Sequence, residues 1–142
     1  MGKAMTRLCG SFAKKTVLAA AMAVLVGSTA PAALAQQQHL EGSWSGNGQI
    51  VFPSGAVENA RCRANFRREA GDSYGMQAIC ATASARVVQN ARLYRTVGNR
   101  FSGEFNNPDY GITGNIRITL TGSSMSAALE GGGGTALFRL SR

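Results

Sequence analysis

Residues 42–66 read GSWSGNGQIVFPSGAVENARCRANF, and the way this stretch folds back on itself decides the architecture. Phe52-Pro53-Ser54-Gly55-Ala56 has the chemistry of a three-residue hairpin loop. Pro53 presets the dihedral of a type I turn, and Gly55 suits the left-handed bulge position. Such a loop pairs Phe52 with Ala56, then Gly48 with Ala60, Gly46 with Cys62 and Trp44 with Ala64. Side chains alternate between the faces of a strand. One face of this hairpin therefore holds Trp44, Ile50, Phe52 and Cys62, and the other Arg61, Arg63 and Arg67.

Upstream, the chain reads as an address rather than a fold. Lys3, Arg7, Lys14 and Lys15 precede an apolar run, Val17 to Val26, and then Pro31 and Ala33-Leu34-Ala35. A basic start, a short apolar core and a small-residue ending make an export signal, too short to act as a stop-transfer helix. Residues 1–35 are expected to be removed after Ala35, and Cys9 with them. The mature protein is then periplasmic or secreted, with a flexible N-terminal segment over 36–42 and a single domain over 43–142. A chain of that size buries about 65% of its unfolded surface. Four of the 15 basic residues and none of the 7 acidic ones lie in the signal, so formal net charge falls from +8 to +4. That modest surplus, with no recognisable binding motif, argues against nucleic acid as a partner.

Two cysteines remain, Cys62 and Cys80, and an even count in an exported chain implies a disulfide. It closes a loop of about 18 residues and is worth roughly 3 kcal/mol. A bridge between neighbouring antiparallel strands centres the second hairpin on Gly71, pairing Ala64 with Ala78 and Phe66 with Met76. The TASA turn then sets Cys80 against Val87 and Met76 against Ala91. Gly122-Ser123 forms a two-residue turn with glycine first, pairing Leu120 with Met125, Ile118 with Ala127 and Ile116 with Leu129. EGGGGT pairs Leu129 with Ala136 and Ala127 with Phe138. The looser NNPDYG loop sets Phe105 opposite Ile112.

These registers agree on one apolar face, which also takes in Phe66, Met76, Cys80, Phe101, Phe105, Ile112, Ile116, Ile118, Leu120, Leu129, Phe138 and Leu140. Eight strands in an up-and-down meander bury such a face by closing into a small barrel, an all-β fold. Segment 85–94 is read as the fourth strand, although Val87, Val88, Ala91 and Tyr94 also fit helical spacing. Outward positions carry Arg61, Arg63, Arg67, Arg86, Arg92 and Arg117, where a membrane barrel needs an apolar band. The mature form is thus expected not to span a membrane, and to be a monomer.

Gly42-Ser43-Trp44 at the start of the first strand resembles the opening of the calycin barrels: lipocalins, avidins and the secreted metalloprotease inhibitors of Gram-negative bacteria. The lipocalin resemblance implies that the indole closes one barrel end with a basic side chain across it. Arg142, which ends LFRLSR with inward parity, is the residue that would stack on Trp44, a contact worth about 0.5–2 kcal/mol. Avidin-type biotin binding is not expected, because it uses several tryptophans and this chain has one. The inhibitor resemblance implies an N-terminal trunk inserted into a protease, here QQQHLEG, which lacks a serine-rich start.

Two binding modes follow for a non-catalytic module. Inward Gly46, Gly48, Ala60, Ala64, Ala78, Gly103, Gly114 and Ala127 either hollow a pocket for a small apolar ligand or make room for Trp44, the phenylalanines and the disulfide; the filled core is the preferred reading. In a hollow barrel Gln89, Phe66, Met76 and Phe105 would meet the ligand, Gln89 being the inward polar residue. Outside, Arg61, Arg63, Arg67, Arg86 and Arg92 offer a stripe for anionic lipid headgroups or another anionic envelope component. The alternative is a protein-interaction barrel, such as a protease inhibitor acting through the trunk. No enzyme is expected: His39 is the sole histidine, both mature cysteines are oxidised, and the carboxylates form no evident pair. GGGG at 131–134 lacks the lysine of a phosphate loop. No cofactor or metal ion is implied, Asp109 being better explained by turn chemistry.

Overall fold

The computed structural model describes residues 38–142. The export signal expected over 1–35 lies outside the described residues, as do Gln36 and Gln37. Eight antiparallel strands follow in chain order: β1 (Gly42–Val51), β2 (Val57–Arg68), β3 (Ser73–Ala81), β4 (Arg86–Val97), β5 (Arg100–Asn107), β6 (Ile112–Thr121), β7 (Ser124–Gly131) and β8 (Gly134–Ser141). Each pairs with the next, and β8 pairs with β1, so the meander closes into a barrel. Among the described residues no helix forms, and so none is long and apolar enough to cross a membrane.

Turn chemistry sets the register. Gly55 takes φ +84° in the first loop, and Gly55 N–H donates to Phe52 O at 2.8 Å. Trp44 accordingly faces Ala64, and Gly46 faces Cys62. Gly122 takes φ +60°, while Gly132 and Gly133 are both left-handed, which suits the tight turns that match strand twist. Cys62 and Cys80 lie directly opposite each other with Cα atoms 4.1 Å apart, and their disulfide staples β2 to β3. Segment 85–94 is strand from Arg86 onward, Val87 facing Cys80 and Ala91 facing Met76.

One register differs from expectation. Phe105 pairs with Gly114, and Ile112 with Asn107. The strands run further than the loop composition suggested because the Asn107 carboxamide closes a short turn, its Oδ1 accepting from Tyr110 N–H at 3.3 Å. The shift also lays the Phe105 ring against Gly114 and Gly131, where a Cβ would meet ring carbons.

The core runs along the barrel axis from Leu40, Trp44, Tyr74, Leu93 and Phe101 at one end to Phe105 and Leu129 near the other. Within the segment expected to be flexible, the Leu40 side chain is fully buried. Glycines inside the strands permit the curvature of a narrow barrel. At Gly103 a Cβ would overlap the Arg92 carbonyl oxygen of β4, so the two backbones approach there as no other residue allows.

Gly103→Ala should lower unfolding stability by about 3 kcal/mol or more, since overpacking here presses on backbone rather than on a movable side chain. Gly98→Ala, at φ +56° in an open turn, should cost only about 1–2 kcal/mol. Urea denaturation of the two variants checks the ranking.

Candidate functional site

The two barrel ends are built differently, and the difference starts at the indole. Trp44 is 1% exposed, and its Nε1–H donates to Leu40 O at 2.9 Å. The Arg142 guanidinium lies 4.5 Å from the indole centroid and donates through Nη1 to Glu41 O at 3.0 Å. A second arginine repeats the arrangement. Arg95 sits 4.6 Å over the Phe101 ring, and its Nη2 donates to Gln38 O at 3.3 Å. Phe101 meets Tyr74 edge-on at 5.3 Å. The Gln38 carboxamide completes the seal, donating to Leu120 O at 3.0 Å and accepting from Gly122 N–H at 2.9 Å.

Residues 38–41 are therefore strapped across the barrel end by four side chains, Trp44, Arg142, Arg95 and Gln38. The part of the expected trunk that is described, from Gln38 on, is bound to its own barrel. Arg95 was not singled out in the sequence, although it shares the inward parity of Leu93; an arginine in an apolar row was the available signal.

Mid-barrel, the interior is filled. Phe66, Met76, Cys62, Cys80, Ile116, Ile118 and their neighbours leave only about 20 Å³ between them, room for one water at most. Phe66 and Met76, expected as ligand contacts, belong to this packed layer. The small residues along it give space to larger ones, as at Gly48, where an added Cβ would strike the Phe138 ring.

Above that layer the barrel opens. A cup of about 410 Å³ is walled by Ile50, Phe52, Val87, Ile112, Leu129 and Ala136, with Phe105 and Gln89 also lining it. Asn107 reaches the same space and is only 5% exposed. Its Oδ1 is held by Tyr110 N–H, while its amide group has no protein acceptor among the described residues. Gln89 is thus not the sole inward amide. Asn107 escaped notice because the expected loop began before it. No charged side chain lines the cup.

The cup's rim carries one clasp. Ser84 Oγ donates to the Glu58 carboxylate at 2.7 and 2.8 Å, linking β2 to the β3–β4 turn. Hydrogen bonding by Thr82 and then Ser84 holds the Glu58 carboxyl below its ordinary value of 4.5.

The outward arginines do not form one stripe. Arg92 is paired with Glu69 at 3.1 Å, and Arg67 lies two strands from it, each facing Gly75 of β3. Arg61, Arg63 and Arg86 stand further along the wall, joined by Arg139, which shares a register line with Asn47 and Arg61. None of these four has a carboxylate partner among the described residues.

No protein-family model and no curated protein sequence matches the chain. Solved structures do. A redesigned β-barrel, mFAP1, bound to DFHBI, is similar with a TM-score of 0.62 at 12% identity, over 72% of this chain and 94% of that one. The related mFAP0, also bound to DFHBI, matches with a TM-score of 0.62 at 13% identity, over 74% of this chain and 100% of that one. A fluorescence-activating β-barrel designed de novo gives a TM-score of 0.58 at 11% identity, over 75% of this chain and 95% of that one. At such identities the likeness establishes the small eight-stranded antiparallel barrel and nothing finer.

Arg142→Ala should destabilise the protein by about 1 kcal/mol through loss of the stacked cation. Arg139→Ala, fully outward, should stay within about 0.5 kcal/mol; thermal unfolding distinguishes them. The Glu58 clasp has a pH signature. A carboxyl held low in the fold adds stability that is fully present above 4.5 and is lost as pH falls through the lowered value. The Tm difference between wild type and Glu58→Gln should be present at pH 7 and close on acidification below that point.

Proposed function

We propose that the protein is an exported, non-catalytic binding barrel of calycin-like layout, whose ligand is a small, uncharged, largely apolar molecule seated in the cup at the open end. The observation that carries this reading is the cup itself, about 410 Å³ with no charged side chain in its wall. Such a volume falls within the range of small-molecule sites, about 300–1,000 Å³. Apolar walls supply affinity through removal of surface from water, and a few placed polar groups fix orientation. Here those groups are Gln89 and the free amide donor of Asn107, which suit a carbonyl or hydroxyl oxygen on the ligand. Barrels of this shape hold DFHBI in the designed proteins mFAP0 and mFAP1, which supports the fold's capacity for a guest.

Export is supported by the signal-like first 35 residues and by the Cys62–Cys80 disulfide, which persists in oxidising compartments. A protein-interaction role for the N-terminal segment would require Gln38–Glu41 to leave the barrel end. That would break the hydrogen bonds from Trp44, Arg142 and Arg95 and uncover Leu40.

The test uses N-phenyl-1-naphthylamine, an uncharged apolar fluorophore. Saturable binding at one site per protein is expected. Ala136→Trp, which fills the cup from its wall, should weaken binding at least ten-fold with thermal unfolding little changed. Unaltered binding by a folded Ala136→Trp protein, or only non-saturable binding by the wild type, would overturn the proposal.

A further inference from the structure

The barrel wall has an electrically one-sided outer surface. On the outer faces of β8, β1, β2, β3 and β4 no strand residue is acidic; Glu58 has inward parity opposite Ile50. Glu69, just past β2, lies over Gly75 and pairs with Arg92, away from the line of Arg61 and Arg86. The carboxylates Glu104 and Glu130 lie on β5 and β7, and Asp109 on the loop between β5 and β6. On the acid-free sector Arg139, Asn47, Arg61, Ala81 and Arg86 share one register line across five strands. Arg63 stands two residues from Arg61 on the same face. Strand spacing puts Arg139, Arg61 and Arg86 about 10 Å apart in turn. Their short neighbours Ser45, Asn47 and Ala81 leave a groove of about 520 Å³ between the Arg61, Arg63 and Arg86 side chains. This is a belt of four exposed guanidiniums, none neutralised by a carboxylate among the described residues.

Apolar side chains flank the belt toward the mouth. Val57 is 57% exposed, Leu137 54% and Val51 38%, all on the outer face of β8, β1 and β2. Val51 faces Val57 across β1 and β2; Val57 stands four residues beyond Arg61 on β2, and Leu137 two beyond Arg139 on β8. Tyr110 adds an exposed ring at the mouth, and Ile79, 39% exposed, sits within the belt beside Arg63. Apolar side chains at one level with cations about 7–13 Å behind along the strands match the cross-section of a bilayer surface, where acyl chains lie beneath a layer of phosphates. A soluble polyanion would engage the arginines but leave Leu137, Val51 and Val57 idle.

We propose that the β8–β1–β2 wall is a docking face for an anionic lipid bilayer, with Arg139, Arg61 and Arg63 on the headgroup phosphates and Leu137, Val51 and Val57 at the headgroup–acyl boundary, Arg86 extending the positive field from β4. Docked this way, the protein lies with one side of its mouth at the lipid surface. Guanidinium groups suit the phosphates because their fixed fork of donors matches two oxygens at once. This inference stands apart from the cup, and the Ala136→Trp protein should dock as the wild type does.

Co-sedimentation with phosphatidylglycerol–phosphatidylcholine vesicles, against phosphatidylcholine alone, tests it. Binding to the anionic vesicles should weaken steeply as salt rises. The Arg61→Gln/Arg63→Gln/Arg139→Gln variant should lose on the order of 100-fold in affinity, at about five-fold per surface arginine. Val57→Ser/Leu137→Ser should weaken vesicle binding several-fold while leaving heparin binding unchanged. The proposal fails if the anionic vesicles do not bind, if the folded arginine variant binds them equally, or if Val57→Ser/Leu137→Ser has no effect. It also fails if arginine-dependent binding is seen with heparin but not with vesicles.

Discussion

The hydrogen bond from the Trp44 indole to the Leu40 carbonyl, under the Arg142 guanidinium, is the constraint from which the two-ended character of this barrel follows. A closed sheet of eight strands satisfies its own backbone, but each end of the tube still exposes apolar interior to water. At one end the chain solves this with its largest side chain and its own N-terminal lead. The indole N–H would be costly to bury without a partner, and the Leu40 carbonyl supplies one. Arg142 and Arg95 then cover the rings and bond the lead's carbonyls, so that two cations close a surface that apolar groups alone would leave open. With that end sealed and the middle packed, the remaining free volume collects at the other end.

Curvature is the second condition. Wrapping eight strands tightly forces neighbouring backbones together at the bends, and glycine is placed where they meet. Gly103 lies against the Arg92 carbonyl and Gly48 against the Phe138 ring. Gly114 and Gly131 cradle the Phe105 ring, which forms part of the cup's floor. The small residues are thus what allows large ones to fill the middle. The hollow that a ligand would use comes from the ending of the core, one layer above Phe66 and Met76.

Much of this could be read from the chain because turn chemistry is local. Gly55, Gly122 and the Gly132-Gly133 pair each fix a hairpin register by their own dihedral requirements. Alternation then assigns faces, and the disulfide and Trp44 follow from parity. The NNPDYG loop resisted because an asparagine side chain, rather than a glycine, shortens it; nothing in the composition distinguishes a capping Asn107 from Asn106 beside it. That single miss concealed one of the cup's two amides. Leu40 and Arg95 were hidden for another reason. Leu40 lies outside the strands, where alternation says nothing, and Arg95 is a charged residue in an inward row, tolerated because its head reaches carbonyls at the barrel end. The partition of the outer arginines depended on where the Glu69 side chain lies as β2 enters its turn, which no pairing rule supplies.

The central claim is that the barrel is sealed around Trp44 and receptive at the opposite mouth. Titrating ¹⁵N-labelled protein with N-phenyl-1-naphthylamine and following amide and indole resonances addresses it most directly. Shifts should gather at Val87, Gln89, Phe105, Asn107, Ile112 and Ala136, with the Trp44 indole N–H and the Leu40 amide unmoved. Perturbation centred on Trp44 and Leu40, with the mouth residues silent, would contradict the account.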